Sequence, residues 1–247
     1  MALSIDINCD LGEGCENDAE LMRYISSANI ACGFHAGNTE TMKRTVELAL
    51  ANNVAIGAHP SFPDRENFGR TEMSIPYPEV SEIVAEQIIL LKDVCDEMGA
   101  RLHHVKPHGA LYNMAVKDRV LSRTIANTVS NVDNGLLLFG MPNSFMISEA
   151  EACGLRSVSE VFADRTYQPD GTLTPRSQPH ALIDDVEICK THVLRMVQEQ
   201  NVIATDGSVV PIKAETICIH GDGARAVEFA AAINRTLRNQ GIEISPN

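Results

Sequence analysis

HVKPHGALYN, His104 to Asn113, sets the end of a short apolar run against a turn broken by Pro107 and Gly109, with Lys106 and His108 inside that turn. Such an order reads as a strand that hands the chain to a loop carrying a cation and a titratable ring. One turn of this kind means little, but the arrangement recurs along the chain. Seven runs have strand character: LSIDIN (3–8), ANIAC (28–32), VAIGA (54–58), RLHHV (101–105), GLLLF (135–139), RSVSEVF (156–162) and TICIH (216–220).

The stretches between these runs have helical spacing. After Asn38, a predicted N-cap, Met42, Val46, Ala49 and Leu50 form an apolar stripe. From Pro78, Val80, Val84, Ile88, Leu91 and Cys95 share one face, and Gly99 ends it. The segment from Asp184 carries Val186, Val193, Leu194 and Val197. After Gly223, Val227, Ala230, Ala231, Ile233 and Leu237 line one side, ahead of Gly241. Alternating strands and helices predict parallel pairing through right-handed crossovers. No linker, low-complexity tract or charge block divides the 247 residues, so the expectation is one domain over 1–247, an α/β chain closed as a seven-stranded parallel β/α barrel. Two long Pro/Gly-rich polar stretches, 60–78 and 163–180, interrupt the rhythm as lids or binding loops do.

Composition narrows the partners. A hydrophobic share of 44% with 21% charged residues fits a globular chain, and no apolar run approaches the ~20 residues that span a bilayer. A net charge of −13 argues against nucleic acid and anionic membrane as partners. The N-terminus lacks a basic segment ahead of its first acids, so no secretory signal is expected. Seven widely spaced cysteines without a C-x-x-C predict reduced thiols in a cytoplasmic protein.

The chemistry gathers just past the strands. Asp10 and Glu13 follow the first run, His35 the second, His59 the third, Lys106 and His108 the fourth, and Asp164 and Arg165 the sixth; His220 and Asp222 close the seventh. In a parallel barrel all of these reach the C-terminal rim, where barrel active sites are built. Capping and turn roles account for Asp and Gly at such places. They do not account for four histidines there, so the rim reads as a catalytic or ligand-binding face. Carboxylates beside imidazoles supply acids and bases. Lys106 and Arg165, with Arg70 and Arg176 from the long loops and Asn8 at the end of the first run, supply groups for an anionic substrate. Asp10, His35 and His59 also form a carboxylate–imidazole set able to hold a metal, though without compact ligand spacing. Motifs exclude other chemistry: there is no Gly-Lys phosphate loop, no complete dinucleotide fingerprint, no H-E-x-x-H and no G-x-S-x-G. Water is the expected nucleophile. Of the His103–His104 pair, one ring should point into the barrel and the other toward the helices; His192 reads as structural.

INCDLGEG, NIACGFHAG, GAHPSFPD with FGR, VKPHGALYN, VFADRTYQPDGTL and ICIHGDG, in this order from the first strand to the last, resemble the LamB/YcsF family. Asn38 and Cys15 are small departures from its pattern. The resemblance implies an irregular barrel akin to glycoside hydrolases and deacetylases. It also implies ATP-coupled opening of the lactam 5-oxo-L-proline to L-glutamate by a 5-oxoprolinase in which such chains are the A component. Partner subunits B and C, and Mg-ATP bound by or shared with those partners, follow from the same resemblance; the sequence leaves a homo-oligomer open. The motif positions it carries are Asp10, Glu13, His35, His59, Lys106, His108, Asp164, Arg165, His220 and Asp222. Two alternatives stand beside it: a metal-dependent carbohydrate deacetylase, and a non-catalytic component that binds a small anion.

Overall fold

The computed structural model describes residues 3–221, 223 and 225–247. The first half of the chain runs β1 (Ser4–Leu11), α1 (Asp18–Leu21), β2 (Ser27–Ala31), α2 (Thr39–Asn52), β3 (Ala55–His59), α3 (Tyr77–Glu97), β4 (Leu102–Val105), α4 (Gly109–Lys117) and α5 (Arg119–Val132). The second half runs β5 (Leu137–Gly140), α6 (Phe145–Ala152), β6 (Arg156–Phe162), α7 (Val186–Leu194) with a π-helical turn at Arg195–Glu199, β7 (Asn201–Ile203), β8 (Val209–Pro211), β9 (Thr216–Ile219), α8 (Ala226–Asn239) and β10 (Glu243–Ile244). Strands β1 to β6 and β9 lie side by side in parallel, and β9 returns to β1, closing a seven-stranded barrel. β10 adds in parallel to the first two residues of β1, and β7 with β8 forms a separate antiparallel hairpin.

Each of the seven runs read as strands is a barrel strand. β1 extends to Leu11 because β2 pairs with it through Leu11↔Ile30. Asp10 therefore stands on the strand, where LSIDIN alone placed it in the following turn.

The alternation in IDINCDL explains how β1 can be buried on both faces. Ile5, Ile7, Cys9 and Leu11 join the apolar core beneath the helices. Asp6, Asn8 and Asp10 face the barrel interior and find polar partners on other strands. Asp6 accepts from Ser27 Oγ at 2.8 Å and Thr216 Oγ1 at 2.6 Å, and Asn8 Nδ2 donates to Thr216 Oγ1 at 2.8 Å. A polar interior is stable only when its groups are paired like this. Beside this column, His104 stacks on Phe139 with ring centroids 4.1 Å apart. A Cβ on Gly57 would stand 2.1 Å from His104 Nε2, so the ring occupies space that only a glycine leaves. His103 faces the other way and meets the Asn247 carbonyl at 2.9 Å.

The helices close the outside. Asn38 caps α2, its Oδ1 accepting from the Thr41 N–H at 2.9 Å. Met42, Val46 and Ala49 are buried, whereas Leu50, expected on the same stripe, is 43% exposed because it lies one residue round the helix from Ala49. All five predicted stripe residues of α3 are buried, each contributing about 1.5–3 kcal/mol where it is a large aliphatic. Among the described residues no helix is long and apolar enough to cross a membrane, and all seven cysteines are free thiols.

Candidate active site

A cavity of about 790 Å³ opens at the C-terminal end of the barrel. Asp10 of β1, His59 of β3, Lys106 and His108 of the β4–α4 turn, Phe162 of β6, Arg165 beyond it and His220 beyond β9 line it. Parallel strands put these groups at one rim because every strand ends on the same side.

Lys106 forms the floor. Its ammonium is 3% exposed and lies 2.8 Å from Asp10 Oδ1, 2.8 Å from Glu160 Oε1, 3.3 Å from Asn8 Oδ1 and 3.0 Å from Cys218 Sγ. The approach to Glu160 is oblique, an ion-pair distance without an aligned hydrogen bond. Burial pulls the ammonium pKa down, but Asp10, Cys218 and Glu160 outweigh it and raise it well above the usual lysine value. Burial pushes the Asp10 carboxyl up; His59 and Lys106 overcome this and hold it well below the usual carboxylate range. Asn29 Nδ2 donates to the same Asp10 oxygen at 2.8 Å, which leaves Oδ2 toward His59 Nε2 at 3.3 Å.

Three imidazoles and Glu13 gather beside Asp10. Glu13 Oε1 lies 3.1 Å from His35 Nε2, 3.5 Å from His108 Nδ1 and 3.9 Å from His59 Nε2. His35 and His108 stack with centroids 3.9 Å apart, and His59 meets His108 edge-on. The outer nitrogens are held from behind: His59 Nδ1 donates to the Lys106 carbonyl at 2.6 Å, His108 Nε2 to the Phe68 carbonyl at 2.9 Å, and His35 Nδ1 to Ser61 Oγ at 2.9 Å. Burial lowers the His35 pKa to about 3 and lowers that of His108 as well. The loop after β3 supplies the Phe68 carbonyl, and the next residue locks it against α4. Gly69 accepts from the Ala110 N–H at 2.9 Å, and a Cβ on Gly109 would meet Gly69 O at 2.4 Å.

On the opposite wall, His220 Nδ1 lies 2.9 Å from each oxygen of Asp164. That contact orients the ring, and His220 lines the cavity. Burial raises the Asp164 pKa, but His220 outweighs it and the carboxyl sits below its ordinary value. Arg165 is buried; its Nη2 donates to the Thr174 carbonyl at 2.6 Å and its Nε to the Ala181 carbonyl at 3.3 Å, tying the second long loop over the cavity. Burial, then the neighbouring Arg176, lowers the Arg165 pKa. Arg70 and Arg176 line the cavity from the two long loops, Arg70 with its guanidinium 5.0 Å from the Phe68 ring.

Asp10, Glu13, His35, His59, Lys106 and His108 thus form one cluster, and Arg70, Arg165, Arg176 and His220 line the same cavity, with Asp164 behind His220. Asn8, read from the sequence as substrate-binding, lies in the barrel interior with its amide spent on Thr216, Asn29 and Lys106. Asp222 lies outside the described residues. The metal-capable set differs from the one expected: Glu13, His35, His59 and His108 bring four ligand-type atoms within 4.8 Å of one another, while Asp10 is engaged by Lys106 and Asn29. Glu160, Asn29 and Cys218 complete the floor, and the sequence pattern does not mark them as site residues; the one signal for Glu160 is a charge inside the apolar run RSVSEVF.

These features define a closed parallel β/α barrel with an acid–base cluster and a cation-lined cavity at its C-terminal rim. The chain belongs to the LamB/YcsF family, whose model matches residues 5–247. A lactam utilization protein from Thermus thermophilus is 43% identical, covers 98% of this chain and 99% of its own, and superposes with a TM-score of 0.94. An Enterococcus faecalis protein provisionally assigned to cellobiose-phosphate cleavage shares the fold at 15% identity and a TM-score of 0.57, covering 99% and 97% of the two chains. A family 4 carbohydrate esterase from Streptomyces lividans does so at 11% identity and a TM-score of 0.50, over 98% and 91%. The last two likenesses show that the barrel fold itself is shared with these two structures.

Proposed function

We propose that this chain hydrolyses a small cyclic amide, 5-oxo-L-proline, to L-glutamate, as the A component of an ATP-dependent assembly with partner subunits B and C. The observation that carries the reading is the placing of an ionised carboxylate, Asp10, and a carboxylate-oriented imidazole, His220, on one cavity whose mouth bears Arg165 and Arg176. The similarity to a lactam utilization protein supports the substrate class.

In this reading Arg165 and Arg176 hold the substrate carboxylate. Asp10, kept ionised by the Lys106 ammonium at 2.8 Å, orients and deprotonates the attacking water. His220, its Nδ1 turned to Asp164, gives the proton to the ring nitrogen as the carbon–nitrogen bond breaks. The chain has no Gly-Lys phosphate loop, so Mg-ATP is assigned to the partners. Phosphorylating the lactam oxygen there makes the ring carbon electrophilic; water adds, the ring opens, and a second water releases phosphate. The cavity is far larger than the lactam, which leaves room for the phosphoryl group.

The test is to combine the chain with subunits B and C, 5-oxoproline and Mg-ATP, and to assay glutamate and ADP. Glutamate should form only with the complete set, in step with ADP. Turnover that does not need this chain would remove the reading. The histidine cluster also favours a second reading, a metal-dependent carbohydrate deacetylase, for which acetate release from an acetylated oligosaccharide without ATP or partners is the result to look for.

A further inference from the structure

Three of the rim histidines each turn one ring nitrogen toward a common point shared with Glu13. His59 spends its Nδ1 proton on the Lys106 carbonyl, and His108 spends its Nε2 proton on the Phe68 carbonyl. Both acceptors are backbone oxygens that cannot donate, so these tautomers are fixed by the chain path. In neutral rings His59 Nε2 and His108 Nδ1 then carry lone pairs, and these face each other at 2.8 Å. The same holds for His35. Ser61 spends its hydroxyl proton on the Phe62 carbonyl at 3.0 Å, so its oxygen accepts from His35 Nδ1 and leaves the Nε2 lone pair against Glu13 Oε1 at 3.1 Å.

Four acceptors converging in this way repel unless something positive lies among them. A proton on His59 Nε2, shared between His108 Nδ1 and Asp10 Oδ2 at 3.3 Å, leaves the contacts of Glu13 with His35 and His108 unrelieved. Two protons would put charge on imidazoles packed together, two of them stacked 3.9 Å apart in a buried site. One divalent ion relieves every contact at once. A tetrahedral centre with bonds of about 2.0–2.1 Å sets neighbouring ligand atoms about 3–3.5 Å apart; four of the six separations here are 2.8, 3.1, 3.5 and 3.9 Å, and all six lie within 4.8 Å, so a small inward shift of the side chains would close the set on an ion.

We infer that Glu13, His35, His59 and His108 form a binding site for one divalent first-row transition metal of the zinc class. Three imidazoles and a carboxylate suit such ions and not magnesium or calcium, which prefer oxygen alone. The backing hydrogen bonds that the rings donate to the Lys106 and Phe68 carbonyls and to Ser61 Oγ orient them, as the surroundings of metal-bound histidines do. His59 and His108 line the cavity, so the ion would meet a ligand entering there. Such an ion polarises a carbonyl or acidifies a bound water.

The site does not depend on the lactam reading, and its test uses no turnover. Chelator-stripped protein is titrated with Zn²⁺ by calorimetry, its bound metal measured after gel filtration, and a Co²⁺-loaded sample examined for visible ligand-field absorption. The wild-type protein should take up one equivalent and give a low-symmetry cobalt spectrum. Glu13→Gln and His59→Gln should bind Zn²⁺ about 100-fold more weakly or worse, while His103→Gln, outside the set, binds as wild type. Far-ultraviolet circular dichroism checks folding, and Glu13→Gln alone decides the matter where His59→Gln fails to fold. No stoichiometric uptake by the wild type, or unchanged affinity in Glu13→Gln, overturns the site. Stoichiometric metal without glutamate formation leaves it standing and removes the lactam reading instead.

Discussion

The Lys106 ammonium and the Asp10 carboxylate meet at 2.8 Å in a pocket where neither side chain is more than 10% exposed. Glu160, wholly buried, approaches the same ammonium at 2.8 Å from another strand. One cation therefore lies between two acidic side chains at the floor of the cavity. Lys106→Met removes that charge and leaves both acids buried without it. The expected cost is about 3–5 kcal/mol, read as a fall in the urea midpoint at neutral pH. A variant as stable as wild type would mean that the floor carries no such charge balance.

Asp10→Asn and His108→Ala should keep the fold, because neither side chain belongs to the apolar core. Both should lose glutamate formation in the reconstituted assembly, Asp10→Asn by about 10²–10⁴-fold because its acid–base action is lost. Near-normal turnover in both variants would take these residues out of the mechanism.

Asp164 acts through His220 in the proposed reaction, so the two should behave as a unit. His220→Ala and Asp164→Ala should each slow turnover, and the double variant should be no slower than His220→Ala alone. Multiplying effects, measured as kcat in the same assembly, would argue for separate roles.

The stability of the barrel should carry a pH signature from Asp6. Burial raises the pKa of this carboxyl from 3.8 to about 6, against hydrogen bonds from Ser26, Thr216 and Ser27. The folded chain therefore holds this proton at a pH where the unfolded chain has released it. Asp6's contribution to stability is full below pH 4 and is lost as pH rises through 6, by about 3 kcal/mol. Relative to Asp6→Asn, the wild type should lose stability between pH 4 and 7 and change little above. Urea midpoints of the two proteins across that range measure it; a constant difference would contradict the raised pKa.

Gly57→Ala tests the interior packing. The added Cβ would stand 2.1–2.5 Å from the His104 ring, which is held between that strand and Phe139. The ring cannot move away without losing its 2.8 Å contact with Asn29, so a loss of about 1–3 kcal/mol is expected. Thermal melting of the purified variant checks it.

The strands were legible because their apolar runs are short, rich in β-formers and punctuated by Gly and Pro. Helices α2, α3, α7 and α8 were legible from their stripes and, in α2, from the Asn38 cap. The chain between β4 and β5 was harder to read. α4 passes into α5 at Asp118, which ends one helix and caps the next by accepting from the Val120 and Leu121 N–H groups, with no Gly or Pro to mark the break. The paired strand β10 has two residues and no pattern of its own. At the site, His35, His59, Lys106 and His108 stood out because histidine and lysine are unusual just after strands. Glu160 and Asn29 did not, because a polar residue inside an apolar run gives no hint of what it will face.

The sequence by itself determined the alternation of strands and helices and the side of the barrel on which the reactive groups emerge, because side-chain period and turn chemistry are local. Only the tertiary structure decided which groups meet. Glu13, His35 and His108 come from the turns after β1, β2 and β4 and His59 from the end of β3, and they converge because these four strands lie side by side in parallel. Barrel closure also brought Lys106 against acids from β1 and β6, since partners so far apart along the chain are set by barrel geometry and not by neighbours in sequence.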